Sequence, residues 1–150
     1  MKIESAAFQN NERIPAKYTC DGNPPAGGIN PPLKISDIPA NAKSLALIVD
    51  DPDATSGRTW VHWIVLNISP ALREIAENSV PVNSTELKTS FGKLGYGGPC
   101  PPPNPDKSIG AGTHRYFFKL FALDAKINSV DEIPAHTIAS AELIGLYSRK

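Results

Sequence analysis

A chain of 150 residues, 41% of them hydrophobic, is long enough for one domain with a sizeable core, burying about two-thirds of the surface its unfolded form exposes. Its 15 basic residues balance its 15 acidic ones, and with no basic stripe nucleic acid is not expected as a partner. No apolar run approaches membrane-spanning length, and residues 1–10 carry no signal-peptide core. A cytoplasmic protein without membrane insertion is therefore expected.

In chain order, residues 2–8 alternate weakly and read as an edge strand, and residues 9–32 supply turn residues at close intervals. Residues 33–35 read as a short strand. Residues 44–50 (SLALIVD) are apolar on both faces, the pattern of a central strand. Residues 60–68 (WVHWIVLNI) are too short and too β-rich for a helix, and a period of two puts Trp60, His62, Ile64, Leu66 and Ile68 on one face. Residues 70–90 read as a long surface connection in which ALREIAE can make a helical turn or two. Residues 96–113 form a glycine- and proline-rich loop of a length that is often functional. From residue 114 the period of two recurs, with His114, Tyr116, Phe118, Leu120 and Ala122 on one face. Residues 129–133 suit a short helix capped by Ser129, and residues 141–147 read as a last strand. With 15 prolines and 11 glycines, the expectation is a mainly β, antiparallel β-sandwich: one domain over residues 1–150, Greek-key-like, with one or two short helices.

Strands 60–68 and 114–123 each bring an imidazole to the first turn inward, beside loops rich in Asp, Gly and Pro. Either histidine alone reads as a satisfied core residue; the two together point to a shared pocket. Imidazole N–H groups, glycine-loop amides and a tyrosine hydroxyl are donors, and a phosphate offers only acceptors to receive them. Asp51 repels such an anion, so its place is to accept from a histidine, a loop amide or a ligand ammonium. That combination favours a zwitterionic phosphate ester. A metal set of Asp51, Asp53, His62 and His114 is the lesser alternative because its spacing carries no signature, and no metal or cofactor is expected. Gly92, Gly95, Gly97 and Gly98 fit neither a dinucleotide fingerprint nor a P-loop, and there is no serine-hydrolase elbow. Cys20 and Cys100 match no zinc motif and adjoin the same loops. A bridge between them stays open, with two free thiols the favoured reading in a reducing compartment.

DPDA followed by WVHW, then GGPCPP followed by HRY, resembles the two signature regions of the phosphatidylethanolamine-binding protein family, also called Raf kinase inhibitor protein-like. KYTCDG, LALIVDDPDA and AELIGLY are similar to its shorter bacterial and archaeal branch, so the resemblance covers residues 7–147. It implies a β-sandwich with a small anion pocket at one end, lined by Asp51, Asp53, Trp60, His62, Pro102, His114 and Tyr116. Arg115, on the opposite face by parity, is expected to tie a loop, and Trp63, Phe117 and Phe118 to pack in the core. The implied function is non-enzymatic: binding of phosphate, a phosphorylethanolamine-like molecule or a phosphorylated side chain, with regulation of a kinase or other protein partner. A homodimer is implied as well, covering an apolar sheet face. Rival readings are a kinase or protease inhibitor acting through loop surfaces, and a hydrolase using the His/Asp cluster, whose nucleophile is not evident. The chain departs from the family at Thr55, where proline is frequent. Its segment before His114 is longer than usual, with Lys107 in solvent or at the pocket rim, and it lacks the long carboxyl-terminal helices of eukaryotic members.

Overall fold

The computed structural model describes residues 1–22, 28–104 and 112–149; Lys107, expected in solvent or at the pocket rim, lies outside them. The strands are β1 (Lys2–Glu4), β2 (Glu12–Arg13), β3 (Leu33–Ser36), β4 (Ser44–Asp51), β5 (Trp60–Ile68), β6 (Glu74–Ile75), β7 (Thr85–Glu86), β8 (His114–Leu123) and β9 (Thr137–Tyr147). They form a small sheet, β1-β3-β6, and a large one, β2-β9-β8-β4-β5-β7. Pairing is antiparallel except between β2 and β9. A mainly β fold with short helical pieces is what the sequence implies.

The main core lies between the sheets. Ile3, Leu33, Ile35 and Ile75 of the small sheet meet Leu45, Leu47, Val49, Trp63, Val65, Phe118 and Leu120 of the large one. A second cluster on the outer face of the large sheet joins Ala46, Ile64, Leu66 and Leu123 to Ile127 and Ile133. Ile133 comes from the expected helical piece, a 3-10 turn (Val130–Glu132) running into α1 (Ile133–His136). Ser129 caps it: its side chain accepts from the Asp131 amide, and the Glu132 carboxylate accepts from the Ser129 amide in return. Residues 70–90 make no helix. They supply β6 and β7, and Asn78 and Asn83 turn the chain there with φ of 51° and 59°, a backbone region that asparagine tolerates better than most residues. Among the described residues, no helix is long and apolar enough to cross a membrane.

Strand β5 departs from the period of two, and the departure matters for the site. Val49 pairs with Trp63 but Asp50 pairs with Val61, so His62 is an extra residue in a β-bulge. A second register shift lies between the Leu47–Val65 and Leu45–Ile68 pairs, around Asn67, whose φ is 57°. The expected one-face set is therefore split. Trp63, Val65 and Ile68 enter the inter-sheet core, whereas Ile64 and Leu66 face the outer cluster. In β8 the pairing with β4 runs unbroken from Phe117–Asp50 to Leu123–Ser44, and the alternation holds. Phe118 is core, but Phe117 is half-buried on the outer side, with Arg115 and Lys119 each 5.6 Å from its ring centre.

Gly145 of β9 lies in register with Tyr116, and a Cβ there would run into the Ile14 and Phe8 side chains. Ile14 is fully buried and its amide donates to Leu146 O at 2.8 Å, so it has little room to yield. Gly145→Ala should cost about 1–3 kcal/mol, the usual range for overpacking, read as a lower urea midpoint; an unchanged midpoint would contradict this packing.

The expectation of two free thiols is overturned. Cys20 and Cys100 are joined, with Cα atoms 5.4 Å apart. Spacing could not show this, because the two loops meet only through the fold. The Tyr96 hydroxyl donates to Tyr18 O at 2.9 Å, and the Cys20 amide donates to Pro99 O at 3.1 Å. A bridge closing so long a loop typically stabilises by about 2–4 kcal/mol.

Candidate functional site

The ends of β4 and the starts of β5 and β8 fall at one edge of the large sheet. Asp51 pairs with Trp60, and since Asp50 pairs with Phe117, Tyr116 lies next to Asp51. The loop leaving β4 is fastened twice to the start of β8. Asp51 Oδ2 accepts from His114 Nδ1 at 2.7 Å, and Asp51 Oδ1 accepts from the Asp53 amide at 2.8 Å. Asp53 accepts from Arg115 through the backbone amide, Nε and Nη2, each at 2.9 Å. Two carboxylates two residues apart thus grip two adjacent residues of the neighbouring strand, which gives the DPD and HR pairings a mechanical meaning.

A cavity of about 270 Å³ opens at this edge, lined by Asp51, Trp60, His62, Pro102, His114 and Tyr116 together with Phe91 and residues 54–56, 100 and 101. Of the residues expected in the pocket, Asp53 is the one not on this wall; its carboxylate is turned to Arg115, which has the loop-tying role expected of it. Phe91 was not singled out from the sequence. Its ring stands edge-on to Trp60 at 5.6 Å and to His62 at 5.3 Å. It lies outside any strand, in a turn where the Gly92 amide donates to Thr89 O, so no periodicity marks it. The one signal was an aromatic residue alone in a polar run.

Both histidines are 4% exposed. His62 Nδ1 donates to Gly97 O at 2.7 Å, and the Gly97 amide donates back to His62 O at 2.9 Å. Burial holds the His62 imidazole below the ordinary histidine value, against the opposing pull of the Gly97 carbonyl and the Asp51 and Asp50 carboxylates. With Nδ1–H committed to a carbonyl, the neutral ring carries its lone pair on Nε2. Tyr116 lies between the imidazoles, 5.3 Å from the His62 ring and 6.4 Å from the His114 ring. Burial, then the nearby Asp51 charge, raises its hydroxyl pKa far above the usual tyrosine value, so it stays a donor. Arg115 holds the Asp53 carboxyl below the usual carboxylate range. Among the described residues, no group of three or more His, Cys, Asp or Glu side chains is arranged to hold a metal ion.

The phosphatidylethanolamine-binding protein family model matches residues 4–148. The chain belongs to this family. A UPF0098 protein of Methanothermobacter thermautotrophicus is 41% identical over 163 aligned positions, covering 99% of each chain. A UPF0098 protein of Pyrococcus horikoshii is 45% identical, covering 97% of this chain and 76% of its own. Among solved structures, a phosphatidylethanolamine-binding protein homologue from Chlamydia trachomatis superposes with a TM-score of 0.85 at 37% identity, covering 99% of this chain and 97% of that one. YbcL of E. coli, a member of the mammalian PEBP family, gives 0.85 at 29% identity, covering 99% of this chain and 98% of that one. Within this family frame, the cavity at the β4, β5 and β8 edge is the place where the signature motifs meet.

Proposed function

We propose that this chain is a non-enzymatic binding protein whose edge cavity takes a phosphate ester, either a phosphorylethanolamine-like molecule or a phosphorylated side chain through which a protein partner is regulated. The carrying observation is the pair of buried imidazoles. Each spends Nδ1 on a protein acceptor and turns the rest of its ring to the same cavity. Once protonated, the His62 Nε2 becomes a charge-assisted donor, and the Tyr116 hydroxyl and the aromatic pair Trp60–Phe91 complete a wall suited to a small anion with an organic substituent. The Asp51 carboxylate, on the same wall, suits a ligand ammonium. Against a hydrolase stands the absence, among the described residues, of any hydroxyl or thiol hydrogen-bonded to either imidazole; Ser56 Oγ donates instead to Arg58 O at 3.1 Å. The test is calorimetric titration with phosphorylethanolamine and, separately, with ethanolamine. Saturable binding of the first alone is expected; no heat from either would sink the reading.

The outer face of the large sheet fits a second copy of the chain. Beyond α1, Ile48, Phe117, Phe121, Ile144 and Leu146 are half-buried there, and Ile138 is 36% exposed. Lys119 and Glu142 lie in register among them, opposite charges that a two-fold axis can match with their counterparts. Sedimentation should give a dimer, weakened by Phe121→Lys; a monomer at every concentration would remove the idea.

A further inference from the structure

A second cavity of about 290 Å³ lies beside the first, lined by Cys20, Thr89, Phe91, residues 93–98 and Cys100. Both half-cystines face it, while Cys100 also lines the ligand cavity. Cys100 is exposed and Cys20 half-buried, and Cys100 is the half-cystine that the two cavities share. Lys93 on that wall is a cation that favours an incoming thiolate.

The two ends of the bridge are held very differently. Cys20 sits in a fixed post: Thr19 Oγ1 donates to Ala16 O at 2.8 Å, and Asp21 accepts from the Tyr147 hydroxyl at 2.7 Å and from Arg149 Nε at 3.1 Å. Cys100 sits in Pro-Cys-Pro-Pro-Pro, where four residues of five have no N–H to give. Among the described residues, the tethers of residues 99–103 are the Cys20 amide to Pro99 O and the bridge itself. Both end on Cys20. Pro99 and Pro101 are buried and the Asn104 amide beyond the run donates to Arg149 O at 3.4 Å, so the proline run is packed at its base and fastened across the gap at Cys20.

We propose that Cys20–Cys100 is a thiol-exchange site, opened by a dithiol reductant from the second cavity, and that opening it releases the 99–103 wall and weakens ligand binding. A reductant thiolate attacks Cys100 Sγ, the S–S bond breaks, and Cys20 leaves as a thiolate that takes up a proton. The reductant's second thiol then attacks the mixed disulfide, forming the reductant's own disulfide and freeing Cys100 as a thiol. Two electrons and two protons pass to the protein. The effect on affinity rests on the function proposed above; the release of the wall does not.

The test compares the oxidised chain, the chain reduced with dithiothreitol, and Cys20→Ser. Dithiothreitol should open the bridge in the folded protein, shown by alkylation of both thiols while the near-ultraviolet signal of the tryptophans persists. Amide exchange at Gly97 and Cys100 should then accelerate, with that at Leu47 and Leu120 unchanged. Affinity for phosphorylethanolamine should fall about tenfold if the competent wall is populated a tenth of the time, and Cys20→Ser should show the weaker value with no response to dithiothreitol. A bridge reducible only on global unfolding, or equal exchange at Gly97 and Cys100 in both redox states, overturns the proposal. If the oxidised chain binds no phosphorylethanolamine, the proposed function fails, and the exchange data still decide whether the bridge fixes the wall.

Discussion

Replacing His62 or His114 with alanine should lower the affinity for phosphorylethanolamine about ten- to a hundredfold, the range for losing a hydrogen bond to a charged group, and His62→Ala should also change its pH response. His62 is held neutral by burial and gives its Nδ1 proton to Gly97 O. A phosphate dianion meeting its bare Nε2 would find lone pair against lone pair, so the complex needs one further proton. That proton arrives on the ester as its monoanion or is taken up from water. Above the ester's second ionisation, near 6, affinity should therefore fall by about tenfold per pH unit. In His62→Ala this slope should flatten. Titrations between about pH 6 and 8 in buffers of different ionisation enthalpy count the proton directly. Affinity independent of pH in the parent, or unchanged in both variants, would assign the histidines a structural role. The same burial has a sign for folding. The unfolded chain protonates this histidine at about 6.5 while the folded chain resists to lower pH, so stability is full above that value and declines as pH falls below it.

Trp63→Ala should destabilise the fold by about 3–5 kcal/mol, the range for removing a large aromatic residue from a core and a large share of the roughly 5–15 kcal/mol that holds a domain together. Trp63 is fully buried between the sheets. Its Nε1 donates to Glu86 Oε2 at 2.7 Å, which fastens β7, and its ring stands edge-on to Tyr96 at 5.7 Å. Tyr96 in turn reaches Tyr18 O, so the residue next to His62 also supports the glycine loop that accepts the His62 proton. Trp63→Phe keeps most of the packing but leaves Glu86 without its donor, at about 1–3 kcal/mol. Urea unfolding separates the two variants; a loss under about 1 kcal/mol for Trp63→Ala would contradict its place at the centre of the core.

Alternation in β8 was readable from the sequence because nothing interrupts its ladder with β4, so His114, Tyr116, Phe118 and Leu120 share a face as a period of two requires. In β5 the same rule fails at His62. A bulge is a relation between two strands, and one strand's sequence does not show how many residues its partner sets against it. The family motifs nonetheless brought Asp51, Trp60, His62, Pro102, His114 and Tyr116 to one cavity, with no need to know the bulge. Asp53 was counted with them because motif position does not say which way a carboxylate turns, and Arg115 claims it. Phe91 and the Cys20–Cys100 bridge were missed for a common reason. Both depend on loops meeting across the fold, where neither period nor spacing operates.

The parallel pairing of β2 with β9 sets the order in which the fold can be completed during synthesis. Asn11 and Ile14 donate backbone bonds to Ile144 and Leu146, and Arg13 reaches Ser148. Arg13 therefore waits for a partner made 135 residues later. At ordinary elongation rates of about 5–20 residues per second, that wait lasts about 7–27 seconds. Throughout it, Phe8 and Ile14 have no Gly145 to close against and are available to chaperones or to a neighbouring chain. Closure then joins segments 135 residues apart, a slow step because the contact is so distant in sequence. β2 is the first strand of the large sheet to be made and among the last to find its place in it.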